Sequence, residues 1–235
     1  MKVVSSELGR SSYLFVPDEV RPAGGVYVQE SVRLICERYG FGGLPPLQEA
    51  LNSPIKFTHG RLIGGSKKLN ISELVIYSNA IQASAANTAD ADYIVDDILA
   101  WAKSTLGYRE PQTKLPRLYE SNLVVDFERQ VDRLLYPFKA LQSELQKALA
   151  ATYGLQLPIA ITSFGIGADP LSVAGQLPPP IPGVLKPELG LVRRINHPYS
   201  ENRFFSSAPF QTDVHIALLE QFEAALSSKG TESGN

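Results

Sequence analysis

The stretch IKFTHGRLIGGSKKLNISELVIYSNAIQASA, residues 55–85, decides the fold class. It holds three short apolar runs, at 55–63, 69–78 and 80–85, and the glycine-containing GGSKK links the first two. Runs of this length between turn residues are typical of strands. Because a short link joins neighbouring strands that run in opposite directions, the stretch predicts antiparallel pairing.

Helical patterns surround these strands without alternating with each of them. Apolar residues recur at helical spacing over 25–39, which Gly40 ends, and over 87–107, where Asn87 or Thr88 can cap the start and Gly107 marks the end. Strands that follow one another in hairpins, with helices inserted between groups of strands, are typical of an α+β fold.

The clearest amphipathic helix lies in the second half of the chain and ends at Gly154. Its apolar stripe consists of Phe138, Leu141, Leu145, Leu149 and Thr152. We expect a helix over 138–153 whose three leucines are buried against the core.

The fold prediction is therefore an α+β protein with mainly antiparallel sheet and amphipathic helices packed on one face. Residues 1–228 are expected to form a single domain, which can be divided into two unequal sub-lobes at 1–107 and 117–228. The polar residues 229–235 are expected to form a disordered tail.

The composition is that of an ordinary globular protein. The chain of 235 residues is 44% hydrophobic and 20% charged, with a formal net charge of -2. This charge provides no general attraction to nucleic acid or to anionic lipid. No apolar run approaches the roughly 20 residues that cross a bilayer, and a single cysteine rules out an intrachain disulfide. A cytoplasmic protein without a membrane partner is the simplest expectation.

Residues 195–215, INHPYSENRFFSSAPFQTDVH, concentrate the side chains that could carry chemistry. His197 or His215, with Asp213 and Ser206, supplies the residue types of a hydrolase or transferase site. The chain has no G-x-S-x-G, H-E-x-x-H or C-x-x-C motif that would fix such a reaction. The catalytic hypothesis is therefore the alternative.

The leading hypothesis is a non-enzymatic interaction or structural subunit that docks on itself or on another protein through residues 176–210. The aromatic part of this segment lacks helical or strand alternation. Aromatic and arginine side chains in such a segment are typical anchors of interfaces. The preceding PPPIP run favours a rigid, extended backbone that loses little entropy on docking. The candidate binding residues are Tyr199, Arg203, Phe204, Phe205, Pro179, Pro180 and Pro182.

Two further charged groups have simple structural interpretations. Arg61, Lys67 and Lys68 form a basic hairpin tip that could touch nucleic acid, but a solubilising turn is the favoured reading. The carboxylates of Asp90, Asp92, Asp96 and Asp97 could suggest a cation site, yet acidic residues early in a helix are also favoured by its dipole. We expect no metal site and no cofactor.

Overall fold

The computed structural model describes residues 1–22, 24–25, 27–42, 54–64, 67–154, 156, 158–168 and 188–228. The strands are β1 (Lys2–Leu14), β2 (Ile55–Gly64), β3 (Lys67–Ile76), β4 (Ala80–Ala85), β5 (Leu118–Asp126), β6 (Ser163–Gly167), β7 (Glu188–Arg193) and β8 (Arg203–Ala208). The α-helices are α1 (Pro17–Val20), α2 (Val28–Tyr39), α3 (Thr88–Leu106), α4 (Lys139–Tyr153) and α5 (Thr212–Ser228). Short 3₁₀ helices span Val131–Phe138 and Tyr199–Glu201.

All eight strands belong to one antiparallel sheet in the order β2-β3-β4-β1-β5-β8-β7-β6. The hairpins predicted from residues 55–85 are present, and β4 covers Ala80–Ala85 as the apolar run indicated. The α+β prediction is therefore confirmed. The central pair is β1 with β5, which are far apart in the sequence and antiparallel from Lys2↔Asp126 to Ser12↔Leu118.

The long helices α2, α3 and α5 lie on one face of the sheet. Asp92 of α3 accepts hydrogen bonds from Ser11 Oγ of β1 at 2.6 Å and from Tyr119 Oη of β5 at 3.2 Å. On the same side of β5, Leu123 and Val125 pack in one core cluster with Leu219 of α5. The predicted packing of amphipathic helices on one face of the sheet is therefore present for α2, α3 and α5.

The element order of the first half recurs in the second half. The series β1–α2–β2–β3–β4–α3 is matched by β5–α4–β6–β7–β8–α5, with a short helix, α1, added in the first half. In the sheet, β4, β3 and β2 follow β1 toward one edge, and β8, β7 and β6 follow β5 toward the other edge in the corresponding order. The described chain is therefore built from two related halves that share one continuous sheet.

The two halves meet where α3 and α5 begin. The backbone N–H of Thr88 donates to Thr212 Oγ1 at 3.0 Å, and the backbone N–H of Thr212 donates to Thr88 Oγ1 at 2.8 Å. Each threonine thus satisfies an N–H that the helix start leaves unpaired. Gly9 lies beneath this junction, where an added Cβ would come within 2.0 Å of the Asn87 carbonyl carbon. Only glycine permits so close an approach.

Each half has its own apolar core. In the first half, Val32 and Ile35 of α2 pack with Ile94 and Ile98 of α3 over the strands. In the second half, Phe204 of β8 packs with residues of β5 and α5. Helix α3 begins and ends where the sequence indicated, because Asn87 Oδ1 accepts from Asp90 N at 2.8 Å and Gly107 adopts φ of 71°.

Helix α4 is present and ends at Gly154, but the expectation that its leucines are buried was wrong. Leu141 is 65% exposed and Leu145 is 44% exposed. No residue of α4 is buried in the described part of the chain. An amphipathic pattern reports that a helix has an apolar face, whereas what covers that face depends on the placement of other elements.

The expectation that the aromatic part of residues 176–210 lacks strand alternation was also wrong for Arg203–Ala208, which form strand β8. The buried members are Phe204, Ser206 and Ala208, and the partly exposed members include Phe205. The polar Ser206 is buried and the apolar Phe205 is half-exposed, so the alternation of burial along β8 is not visible as an alternation of apolar and polar residues.

Several predictions fall on residues that the structure does not describe. These are the extended proline-rich run with Pro179, Pro180 and Pro182, and the tail 229–235. Among the described residues, no helix is both long and apolar enough to cross a membrane.

Candidate interaction surface

The adjacent phenylalanines of β8 point to opposite faces of the sheet. Phe204 is 0% exposed, and its ring lies 5.8 Å from that of Phe127 in an edge-on arrangement. Phe205 pairs with Val124 of β5 and Val192 of β7 and stays half-buried. Phe204 is therefore a core residue, and Phe205 is the one that a partner could reach.

Arg203 is held by an ion pair within the sheet. Its Nε and Nη2 donate to the two carboxylate oxygens of Asp126, at 2.7 and 2.8 Å. This hydrogen bonding lowers the pKa of the Asp126 carboxyl below its ordinary value, in spite of partial burial. A paired, planar contact of this kind fixes the arginine, so Arg203 is a poor anchor for a partner.

Tyr199 is 46% exposed and lies against a buried arginine that the sequence reading did not single out. The guanidinium carbon of Arg193 is 4.6 Å from the centre of the Tyr199 ring and 4.7 Å from that of Phe204. Arg193 also donates to both oxygens of Asp132, at 3.0 and 3.1 Å. It therefore ties β7 to the 3₁₀ helix that leads into α4.

The structure brings His215 and Ser206 together and leaves Asp213 and His197 elsewhere. His215 Nε2 is 2.8 Å from Ser206 Oγ, and His215 Nδ1 is 3.1 Å from Ser121 Oγ. Asp213 is exposed at the start of α5, with no hydrogen bond to either histidine among the described residues. His197 pairs instead with Glu201 at 2.9 Å.

The His215 pair is enclosed by protein. Both His215 and Ser206 are 0% exposed. Burial lowers the pKa of His215 to about 4, which keeps the imidazole neutral at physiological pH. Ser206 Oγ also donates to the carbonyl of Gly190 at 3.1 Å, and Ser121 lies 3.4 Å from Thr212 Oγ1. The serines thus satisfy a buried histidine near the junction of the two halves, which is a structural role.

The acidic residues of α3 bind arginines of neighbouring elements. Arg117 donates to Asp92 at 2.9 Å and to Asp96 at 2.6 Å, and Arg38 of α2 donates to Asp97 at 2.9 Å. These carboxylates therefore hold α3 against its neighbours, which is a structural role in addition to the favourable interaction with the helix dipole. The described residues contain no cluster of three or more metal-ligating side chains.

The basic hairpin lies at the edge of the sheet, where Arg61 is exposed on β2 and Lys67 and Lys68 are exposed on β3. Lys67 Nζ is 5.1 Å from the centre of the Tyr93 ring on α3. Lys67 is therefore partly engaged within the protein.

Several exposed apolar residues of the second half lie close together in the sequence, on α4 and just before it. Phe138 is 54% exposed, Tyr136 is 61% exposed and Tyr153 is 64% exposed, in addition to Leu141 and Leu145. We call Phe138, Leu141, Leu145, Leu149 and Thr152 the α4 stripe. Contiguous exposed apolar side chains of this kind mark interaction sites in soluble proteins.

Comparison with known proteins gives no family assignment. No family model matches this chain, and no curated protein shows significant similarity to it.

Proposed function

We propose that the protein is a non-enzymatic assembly component that binds a second copy of itself through the α4 stripe. The observation that carries this proposal is the exposure of Leu141 and Leu145 on a well-formed helix. Leaving these leucines in water forgoes the free energy that their burial would supply. A partner that covers the stripe recovers that free energy.

The spacing of the stripe favours a second α4 as the partner. Leu141 and Leu149 lie four residues on either side of Leu145, and Phe138 and Thr152 lie seven residues on either side. Two copies packed antiparallel about a twofold axis at Leu145 therefore place Leu141 opposite Leu149 and Phe138 opposite Thr152. A twofold interface requires this kind of self-complementary surface.

The charges of α4 are compatible with this pairing. Its charged residues are Lys139, Glu144 and Lys147. Counted from Leu145, they lie level along the helix axis with Ala151, Gln146 and Ser143 of the other copy, so no like charges are level with each other. The antiparallel arrangement also sets the helix dipoles in the favourable direction.

Residues 176–210 remain part of the proposed surface. Tyr199 is joined through Arg193 and Asp132 to the 3₁₀ helix before α4, and Phe205 offers an apolar ring on the second face of the sheet. We expect Tyr199 and Phe205 to lie at the border of the contact between the two copies, or to bind another protein. Pro179, Pro180 and Pro182 lie outside the described residues, and their part in binding stays a prediction.

The alternative, a hydrolase or transferase, has less support. A nucleophile must reach its substrate, and Ser206 Oγ lies beside a fully buried imidazole. The half-buried His197 has Glu201 and Arg203 as its hydrogen-bond neighbours rather than a serine.

Replacing Leu145 with aspartate should separate the two copies without unfolding the chain. The charge would fall on the twofold axis, where two carboxylates would face each other in an apolar contact. We expect the mass in solution to fall from about twice 25.7 kDa to a single chain, with an unchanged far-ultraviolet circular dichroism spectrum. Light scattering after size exclusion measures the mass.

Ser143→Asp is the matched control, because it adds the same charge to the other side of α4. This variant should keep the mass of the parent protein. If the parent already has the mass of one chain across a concentration series, self-association through α4 is wrong. If the double variant Tyr199→Ala with Phe205→Ala has the same mass in solution as the parent protein, those two residues lie outside the contact.

A further inference from the structure

A large cavity lies in the first half of the molecule, remote from α4. Its volume is 870 Å³, and it is bordered by residues of α1, α2 and α3 and by the strand ends near Ile55 and Ile76. Pockets for small molecules commonly have volumes of about 300–1,000 Å³. The cavity is therefore large enough for an organic ligand.

The inner walls of the cavity are apolar. Val32 and Ile35 of α2 face Ile98 and Leu99 of α3, and Trp101 borders the same space. A ligand enclosed here must present a hydrocarbon surface, because the four aliphatic side chains of these walls provide no hydrogen-bond donors or acceptors.

The charged residues that border the cavity are predominantly basic. They are Arg21, Lys103 and Arg109, with Glu110 as the acidic member. Lys103 Nζ donates to Glu110 at 2.9 Å, so these two charges offset each other. Arg21 approaches Asp18 only at 4.0 Å, and Arg109 has no ion pair among the described residues. Two guanidinium groups are thus available to an anion.

Phenol groups accompany these guanidinium groups. Tyr13 and Tyr108 border the cavity, and their hydroxyls have no hydrogen-bond partner within the described chain. Burial raises the pKa of Tyr108, an effect that the nearby Arg21 partly opposes. The backbone N–H of Arg109 donates to the carbonyl of Val20 at 3.1 Å, so Tyr108 and Arg109 lie beside Arg21 at the border of the cavity. Tyr108 can act there as a neutral hydrogen-bond donor.

We propose that this cavity binds an amphipathic anion, a fatty-acid-like carboxylate whose hydrocarbon chain lies between α2 and α3. The carboxylate would be held at the mouth by Arg21 and Arg109, with Tyr108 donating a hydrogen bond. A phosphate head group shares this chemistry, so the experiment must distinguish the two anions. The proposal is independent of self-association through α4.

Trp101 allows a direct test, because it is the only tryptophan in the chain and borders the cavity. We would titrate the protein with dodecanoate, dodecyl phosphate and dodecanol below their aggregation concentrations and follow the Trp101 emission. Dodecanoate should cause a saturable change, and dodecanol, which lacks the charge, should bind about tenfold or more weakly.

Replacing both guanidinium groups, by Arg21→Gln with Arg109→Gln, should weaken dodecanoate binding about tenfold or more. Arg61→Gln with Arg194→Gln is the matched control, because both of its arginines are exposed and neither borders the cavity. This control should bind dodecanoate like the parent. Thermal melting of both double variants shows that each is folded.

The outcomes separate cleanly. If dodecyl phosphate binds more tightly than dodecanoate, and the double variant Arg21→Gln with Arg109→Gln loses this binding, the anion site is supported and its ligand is a phosphate. The proposal is overturned if neither anion gives a saturable change, or if dodecanol binds as tightly as dodecanoate. Equal binding by the two double variants would overturn it as well.

Discussion

Replacing Phe204 with alanine should lower the free energy of unfolding by about 3–5 kcal/mol, the usual cost of truncating an enclosed aromatic ring. Phe204 is 0% exposed, packs edge-on against Phe127 and lies 4.7 Å from the Arg193 guanidinium carbon. Its removal would leave a cavity in the core of the second half and would take away one of the two rings that flank Arg193. Urea unfolding followed by circular dichroism measures the loss.

Phe205→Ala is the matched comparison, since it removes the same ring from the next residue. Phe205 is half-buried on the other face of the sheet, so we expect a clearly smaller loss of stability. Equal destabilisation by the two substitutions would contradict the assignment of Phe204 to the core and Phe205 to the surface.

The second large effect is a loss of stability at acidic pH caused by His215. Burial lowers its pKa to about 4 in the folded protein, compared with the ordinary value of 6.5. The unfolded chain therefore takes up a proton first. The stabilising contribution is complete above pH 6.5, declines as the pH falls toward about 4, and is lost below that value. Across this window the loss amounts to about 3 kcal/mol.

The measurement is urea unfolding at a series of pH values between neutral and about 4. His215→Gln should lack this part of the pH dependence, although it is less stable at neutral pH because two buried serines lose their partner. His197→Gln, which replaces a more exposed histidine, should retain the slope of the parent. If the parent and His215→Gln show the same slope, His215 does not remain neutral in the folded state.

Local signals in the sequence predicted much of the fold. Asn87 and Gly107 delimit α3 because a cap and a left-handed glycine act within a few residues of the helix ends. The turn residues between β2, β3 and β4 likewise identified the hairpins. These features depend on neighbours in the chain, which a single sequence displays.

Contacts between distant residues could not be predicted in this way. The central pairing of β1 with β5 and the contact of His215 with Ser121 join segments far apart in the chain. The relation between the two halves did leave a weak signal, since Ser84 and Ala85 precede Thr88 much as Ser207 and Ala208 precede Thr212. One extra residue in the second loop obscures that match.

The candidate sites show the same limit. The sequence supplied Ser206 and His215 as possible partners, but burial, which decides their role, is a property of the packed protein. The α4 stripe was identified correctly as an apolar face, and its exposure was not, because periodicity does not report what lies opposite. Arg193 was missed since nothing in its local sequence indicates that two aromatic rings would enclose it.

Disulfide formation between two copies tests the antiparallel α4 contact most directly. Cys36 is the only cysteine, so a Cys36→Ser background allows a new cysteine to be read without interference. On that background, Leu145→Cys should form a covalent dimer on mild oxidation, because the two sulfur-bearing residues meet at the twofold axis within disulfide range. Leu141→Cys alone should not, since the two copies of residue 141 would lie about 12 Å apart along the helices. Efficient cross-linking of Leu141→Cys, or none of Leu145→Cys in a protein that is dimeric in solution, would contradict this account.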